Sequence, residues 1–208
     1  MIKLWGRNTS SNVMKVIWLL EELGLPYYRE DIGGPFGGND QPAYRALNPT
    51  GLVPTIDDDG FILWESNAIL RYLAAARSEQ GAALYPTDLK ARANIDRWMD
   101  FQQTIANPRM VAVFHPLIRL PPEKRDPAAI AAASAAFAAA WDMLLPALER
   151  APYAAGDDFT LADIPLGVIV HRYFALPMER PDKPALRAWY DRLLTRPAYA
   201  AHVARPLV

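Results

Sequence analysis

The sequence predicts an α+β domain over residues 1–77, with element order βαβαββα, followed by an all-helical domain over residues 89–208. Three observations carry this division. Short extended segments alternate with amphipathic helical ones up to Arg77. Ser78 to Asp88, with Gly81, Pro86 and Thr87, has no useful period and suits a linker. Beyond it the apolar residues recur at helical spacing almost to the end.

Taken in order, Ile2 to Trp5 is a short strand, and Val13, Val16, Ile17 and Leu20 then share one face of a helix over about 12–23. Ser10, Ser11 and Asn12 are good helix-starting residues, while Gly24 and Pro26 supply the stop. Tyr27 to Ile32 is extended, and Gly33 to Gly38 must be a loop. Pro42 to Leu47 has room only for a short helix. Pro54–Asp57 and Phe61–Trp64 flank Asp58-Asp59-Gly60 as a tight hairpin, and Ser66 to Ala76 closes the half as a helix. In the second half, Ile95, Trp98, Met99, Gln102 and Ile105 follow one helical face, and Ile130, Phe137, Trp141, Leu144, Leu145 and Leu148 another, kinked or ended by Pro146. Thr160 and Asp163 have the spacing of a capping box, with Phe159 and Ile164 as its hydrophobic staple. A final helix runs from about Pro184 to Leu194 and ends before Pro197.

Composition excludes several classes of function. Twenty-two basic against 23 acidic residues, with no basic run, lack the electrostatic footprint of a nucleic-acid binder. The longest apolar tract, Ala128 to Trp141, is mostly alanine and shorter than the roughly 20 residues that span a bilayer. Met1 to Trp5 has no charged leader and apolar core, so a cytoplasmic protein is expected. The absence of cysteine removes disulfides, zinc-thiolate sites and an enzyme thiol nucleophile, so any sulfur chemistry must use a substrate thiol. His115, His171 and His202 are too scattered for metal-ligand spacing and read as structural or surface residues, and no metal is expected.

Three clusters sit at element ends that one small sheet could bring together. Thr9-Ser10-Ser11-Asn12 lies where the first strand meets the first helix, whose free N–H groups and partial positive charge favour an anion. If that anion is a thiolate, a hydroxyl is its natural donor, although the same residues could simply cap the helix. In the second cluster, Asn48 to Pro54, Pro54 is a candidate cis-proline that would expose the backbone of Val53 to a peptide-like ligand. The bland reading is an edge strand opened by a proline. In the third, Ser66 and the first N–H groups of a helix suit a carboxylate and Glu65 suits an ammonium group, with an N-cap as the alternative.

Ser10, Val53-Pro54 and Glu65-Ser66, together with Leu19 to Tyr27 and Thr160 to Ile164, resemble the cytosolic glutathione transferase family over essentially the whole chain. The likeness is to bacterial members of theta-like or nu-like, serine- or asparagine-type character. It implies a thioredoxin-like first domain with a mixed four-stranded sheet and a cis Val53–Pro54 peptide that pairs with the cysteinyl backbone of glutathione. It further implies that Glu65 and Ser66 hold the γ-glutamyl end and that Ser10 stabilises the thiolate. Asn12 stands where serine-type members often have proline, and its amide could itself donate, so Thr9, Ser11 and Asn12 rival Ser10. Leu52 replaces a frequent lysine and Asn67 an occasional arginine, which leaves contacts to the glycine end to Asn39 or Gln41. The second-substrate pocket is expected among Trp5, Phe36, Arg109, Met110, Val113 and Phe114, with Met110 and Phe114 as ordinary core and Arg109 as a surface charge for the alternative. Glutathione as co-substrate, a hydrophobic electrophile, a homodimer and a detoxifying role complete the expectation, with no nucleic acid or membrane partner. Isomerisation, dehalogenation or peroxide reduction with glutathione is one alternative, and a silent binding or assembly module another.

Overall fold

In the computed structural model, residues 1–207 are described, without the side chains of residues 78–80. The chain divides into two compact units, Met1–Thr87 and a second beginning at Asp88.

The first unit is built on strands β1 (Ile2–Trp5), β2 (Tyr27–Glu30), β3 (Thr55–Asp58) and β4 (Phe61–Trp64), in sheet order β2-β1-β3-β4. β1 runs parallel to β2 and antiparallel to β3, and β3 runs antiparallel to β4, so the sheet is mixed and four-stranded as the family likeness implies. A parallel pair needs a crossover, supplied here by α1 (Ser11–Glu22). Its expected face, Val13, Val16, Ile17 and Leu20, is buried, but so are Lys15, Trp18 and Leu19 on the other side, so this helix is enclosed all round. α2 (Pro42–Leu47) and α3 (Ser66–Ala76) stand where the sequence places them. The hairpin closes through Asp59 and Gly60, both at positive φ, with Gly60 N donating to Asp57 Oδ1 at 2.7 Å. Pro54 lies just outside β3 instead of opening it.

The register locates the chemistry. Trp5 pairs with Thr55, and Thr55 with Trp64, so the end of β1, the start of β3 and the end of β4 lie at one edge. Beyond that edge the chain enters α1 after Trp5, leaves Val53–Pro54 before Thr55, and enters α3 after Trp64.

The expected linker is not irregular: Ser78–Leu84 forms a helix, α4. Gly81, which reads as a breaker, permits close packing on α3, since a Cβ there would lie 2.3 Å from the carbonyl oxygen of Ala74.

The second unit is helical. α5 (Leu89–Phe101) continues through a widened π-helical turn at Gln102–Ala106 into α6 (Asn107–Phe114), and Ile95, Met99, Gln102, Ala106, Met110 and Val113 form the buried side. Trp98 and Ile105, expected on that side, are only half-buried. α7 (Pro127–Asp142) is capped by Asp126, which accepts from the N–H groups of Ala128 and Ala129, and ends before α8 (Leu145–Leu148), where Pro146 falls in the first turn. Taken together Pro127–Leu148 is long and apolar enough to cross a membrane by length and composition, a correction to the shorter tract read from sequence. Here it is a bundle helix whose Phe137 and Trp141 pack on Tyr173, at ring centroids 5.3 and 5.9 Å away. α9 (Asp163–Ala175) is the central helix, buried from Asp163 through Tyr173. α10 (Pro184–Leu194) follows, and Pro197, expected only as a stop, opens one more helix, α11 (Pro197–His202), from its first turn.

Candidate active site

Ser10 precedes α1 in extended conformation and its hydroxyl makes no capping hydrogen bond among the described residues, although Ser10 O accepts from Met14 N at 2.9 Å. The bland capping role therefore does not use this side chain. Gly6 explains how α1 comes close to the Val53 segment: a Cβ on it would lie 2.5 Å from Val13 Cγ2 and 3.1 Å from Val53 Cβ. Its φ of +147° is a further reason for glycine.

The Val53–Pro54 peptide is cis, as read from the sequence. The turn before it is held by side chains that sequence reasoning missed. Leu52 O accepts from Tyr44 Oη at 2.6 Å and from Asn48 Nδ2 at 2.9 Å, and both side chains also meet Thr55 Oγ1, at 2.8 and 3.0 Å. Asn48 Oδ1 in turn accepts from Thr50. The Leu52 side chain itself projects into solvent. Asn39 donates to Gly51 O at 2.8 Å, which commits its amide group to the loop, and Gln41 pairs at the surface with Asp40. Arg7 passes beside Gly33 and Gly34, where a Cβ on Gly34 would strike its side chain.

At the third cluster, Glu65 precedes α3 at φ 71°, a left-handed conformation that costs a non-glycine residue about 1 kcal/mol or more and is concentrated at ligand clamps. Its carboxylate makes no capping bond among the described residues. Ser66 is buried and donates to Asn12 Oδ1 at 3.3 Å, so the starts of α3 and α1 touch through two predicted site residues. A third residue joins them. Lys15, fully buried, donates to Ser66 Oγ at 3.3 Å and to Asn67 Oδ1 at 3.4 Å. Burial pulls its pKa down to about 7, against the opposing charge of Glu65. The sequence did carry a signal for it: Lys15 shares its side of α1 with Trp18 and Leu19, a pattern that marks that side as covered.

Trp5 is buried at the end of β1 under the Lys3 ammonium, 4.5 Å from its ring, and Phe36 is exposed in a single 3-10 turn. In the helical unit Met110, Val113 and Phe114 are buried core; Arg172 reaches Met110 Sδ at 4.0 Å and lies 4.3 Å over the Phe114 ring. Arg109 is half-buried, and its Nη1 has no hydrogen-bond partner among the described residues. A cleft of about 730 Å³ in this unit is lined instead by residues such as Ile130, Ser134, Met178 and Arg180, none of them expected at the site. His171 is structural, with Nδ1 3.0 Å from Tyr190 Oη and Nε2 2.7 Å from Arg205 O. Among the described residues no acidic or histidine group could hold a metal ion.

Residues 9–76 match the family described as glutathione S-transferase, N-terminal domain, and residues 105–197 match glutathione S-transferase, C-terminal domain. The chain is 40% identical over 210 residues to glutathione S-transferase GstB of Escherichia coli strain K12, covering 100% of both. It is 32% identical over 212 residues to glutathione S-transferase 3 of Zea mays, covering 98% of this chain and 93% of that protein. Among solved structures, the theta class glutathione S-transferase of Xanthomonas axonopodis pv. citri with glutathione bound superposes with a TM-score of 0.94 at 46% identity, covering 100% of this chain and 99% of the other. With both halves matched and such identity along its entire length, the chain belongs to the glutathione S-transferase family.

Proposed function

We propose that the protein binds glutathione at the sheet edge where α1, the cis Val53–Pro54 turn and α3 meet, lowers its thiol pKa, and conjugates the thiolate to a hydrophobic electrophile. The observation that carries this reading is the Ser10 hydroxyl, set at a helix start yet not engaged in capping it. Lowering a thiol pKa by about two units from roughly 8.5 needs about 2.7 kcal/mol of preferential anion binding. A hydrogen bond to the charged sulfur contributes about 1.5–3 kcal/mol and the helix terminus about 0.3–1 more. These two suffice without a metal or general base. Asn12 accepts from Ser66 through Oδ1, so its Nδ2 stays a second candidate donor beside Ser10.

In this reading the Val53 backbone pairs with the cysteinyl part of glutathione, Ser66 and the first N–H groups of α3 take its α-carboxylate, and Glu65 takes its ammonium group. Thr9, Leu52 and Asn39 complete the wall, Asn39 by bracing Gly51. Trp5 and Phe36 of the first unit and Arg109, Met110, Val113 and Phe114 of the second are the residues proposed for the electrophile; Met110 and Val113 are buried in the core of their own unit. A homodimer in the cytoplasm, acting in detoxification without membrane attachment, is the setting that the family likeness supports.

Calorimetric titration with glutathione, with ultraviolet detection of the bound thiolate across pH, tests the proposal. Saturable binding with a thiol pKa well below 8.5 is expected. Absence of binding would overturn it and favour a silent assembly module.

A further inference from the structure

Lys15 is not accounted for by catalysis as described above. A lysine with no exposed surface is rare unless something compensates its desolvation. It donates to Ser66 and Asn67, the first two residues of α3, and stands in the second turn of α1. Both helices therefore present their positive ends near it, which disfavours an ammonium. A methionine would fill similar space without that cost. An anion added at Ser66 would favour the ammonium further. From α3 the charged groups are Glu65, whose carboxylate favours the ammonium, and Arg71, one turn beyond Asn67; the acidic residues of α1, Glu21 and Glu22, lie at its far end.

We propose that Lys15 is a positioning residue of the glutathione site, holding Ser66 and Asn67 for the ligand's α-carboxylate. The inference rests on the assignment of Ser66 to the γ-glutamyl end. The same hydrogen-bond chain, Lys15 to Ser66 to Asn12, carries the coupling to the start of α1, where the thiol would lie. Because Lys15 titrates near pH 7 in the free protein, a growing fraction must be protonated from solvent on binding as pH rises. By reciprocity, the ligand binds less tightly above that pH.

S-methylglutathione, which has no thiol proton to lose, is the probe. Calorimetry at pH 8 in two buffers of different ionisation enthalpy reads the protons taken up per ligand. The wild type should gain about half a proton or more, and Lys15→Met should not. Lys15→Met should also bind about tenfold more weakly at pH 6.5 while melting no lower than wild type, because it loses a charge-assisted site but also a desolvated cation. A residue of merely structural value would lower the melting temperature instead. Equal proton uptake by the two proteins, or none by a wild type that binds, overturns the role of Lys15. No binding of S-methylglutathione by the wild type would instead sink the glutathione-site assignment. Should Lys15→Met fail to fold, the wild-type affinity between pH 6 and 8 decides: a decline through about pH 7 supports the proposal and a flat profile overturns it.

Discussion

Ser10 and Glu65 occupy equivalent places at the starts of α1 and α3, and neither side chain caps its own helix. Each is therefore open to removal without the usual penalty of a lost cap. Ser10→Ala should leave the melting temperature unchanged yet lower kcat/KM for conjugation about tenfold to a hundredfold, the equivalent of roughly 1.5–3 kcal/mol from one charged hydrogen bond. The thiol pKa measured by ultraviolet titration should rise with it; unchanged turnover would move the role to Thr9 or Asn12. Glu65→Gln keeps size and backbone strain but removes the charge opposite the ligand ammonium, so glutathione affinity should fall about tenfold in calorimetry with little change in stability. These side chains were legible as candidates from type and spacing alone. Gly6 was not, since a glycine that admits two valines is defined by neighbours from other parts of the chain, and for Lys15 the sequence marked only a covered side of α1, not its partners on α3.

Among the elements, α9 shows how a local signal and its tertiary use can differ. Thr160 and Asp163 form half of the capping box: Asp163 Oδ2 accepts from Thr160 N at 3.0 Å, whereas Thr160 Oγ1 accepts from Ala162 N at 3.3 Å and the helix begins at Asp163 without a side-chain cap. Asp163 also accepts, through Oδ1, from Ala154 N and Trp189 Nε1, each at 3.0 Å, thereby tying α9 to a loop and to α10. Burial pushes its carboxyl up to about 6 despite these donors. Asp163→Ala strands several buried donors at once, and chemical denaturation should show a loss of about 3 kcal/mol or more. α4 and α11 were missed for related reasons. Gly81 and Pro197 break helices in an average context, but here one allows α4 to lie against Ala74 and the other occupies a first turn that needs no donor.

At the scale of the molecule, ligand and proton both enter the folding equilibrium. Glutathione at about 100 times its Kd should add about 2.7 kcal/mol, a rise of several degrees in thermal unfolding, if it binds the folded state alone. Lys15 has a folded-state pKa of about 7, below its unfolded value of 10.5. Between those values the unfolded chain holds more protons, so this group makes unliganded stability increase with pH above 7. Denaturation at pH 7 and 9 should show that increase in the wild type and its loss in Lys15→Met. Periodicity, turn residues and caps determined the order of the strands and of the helices other than α4 and α11, the hairpin, the cis-proline candidate and the three clusters, because each depends on residues close in sequence. Sheet order, the alignment of Trp5, Thr55 and Trp64 at one edge, and the meeting of Asn12, Lys15 and Ser66 were decided only by the tertiary structure. Such contacts join residues some 50 positions apart, and long-range pairing and enclosure leave little trace in local pattern.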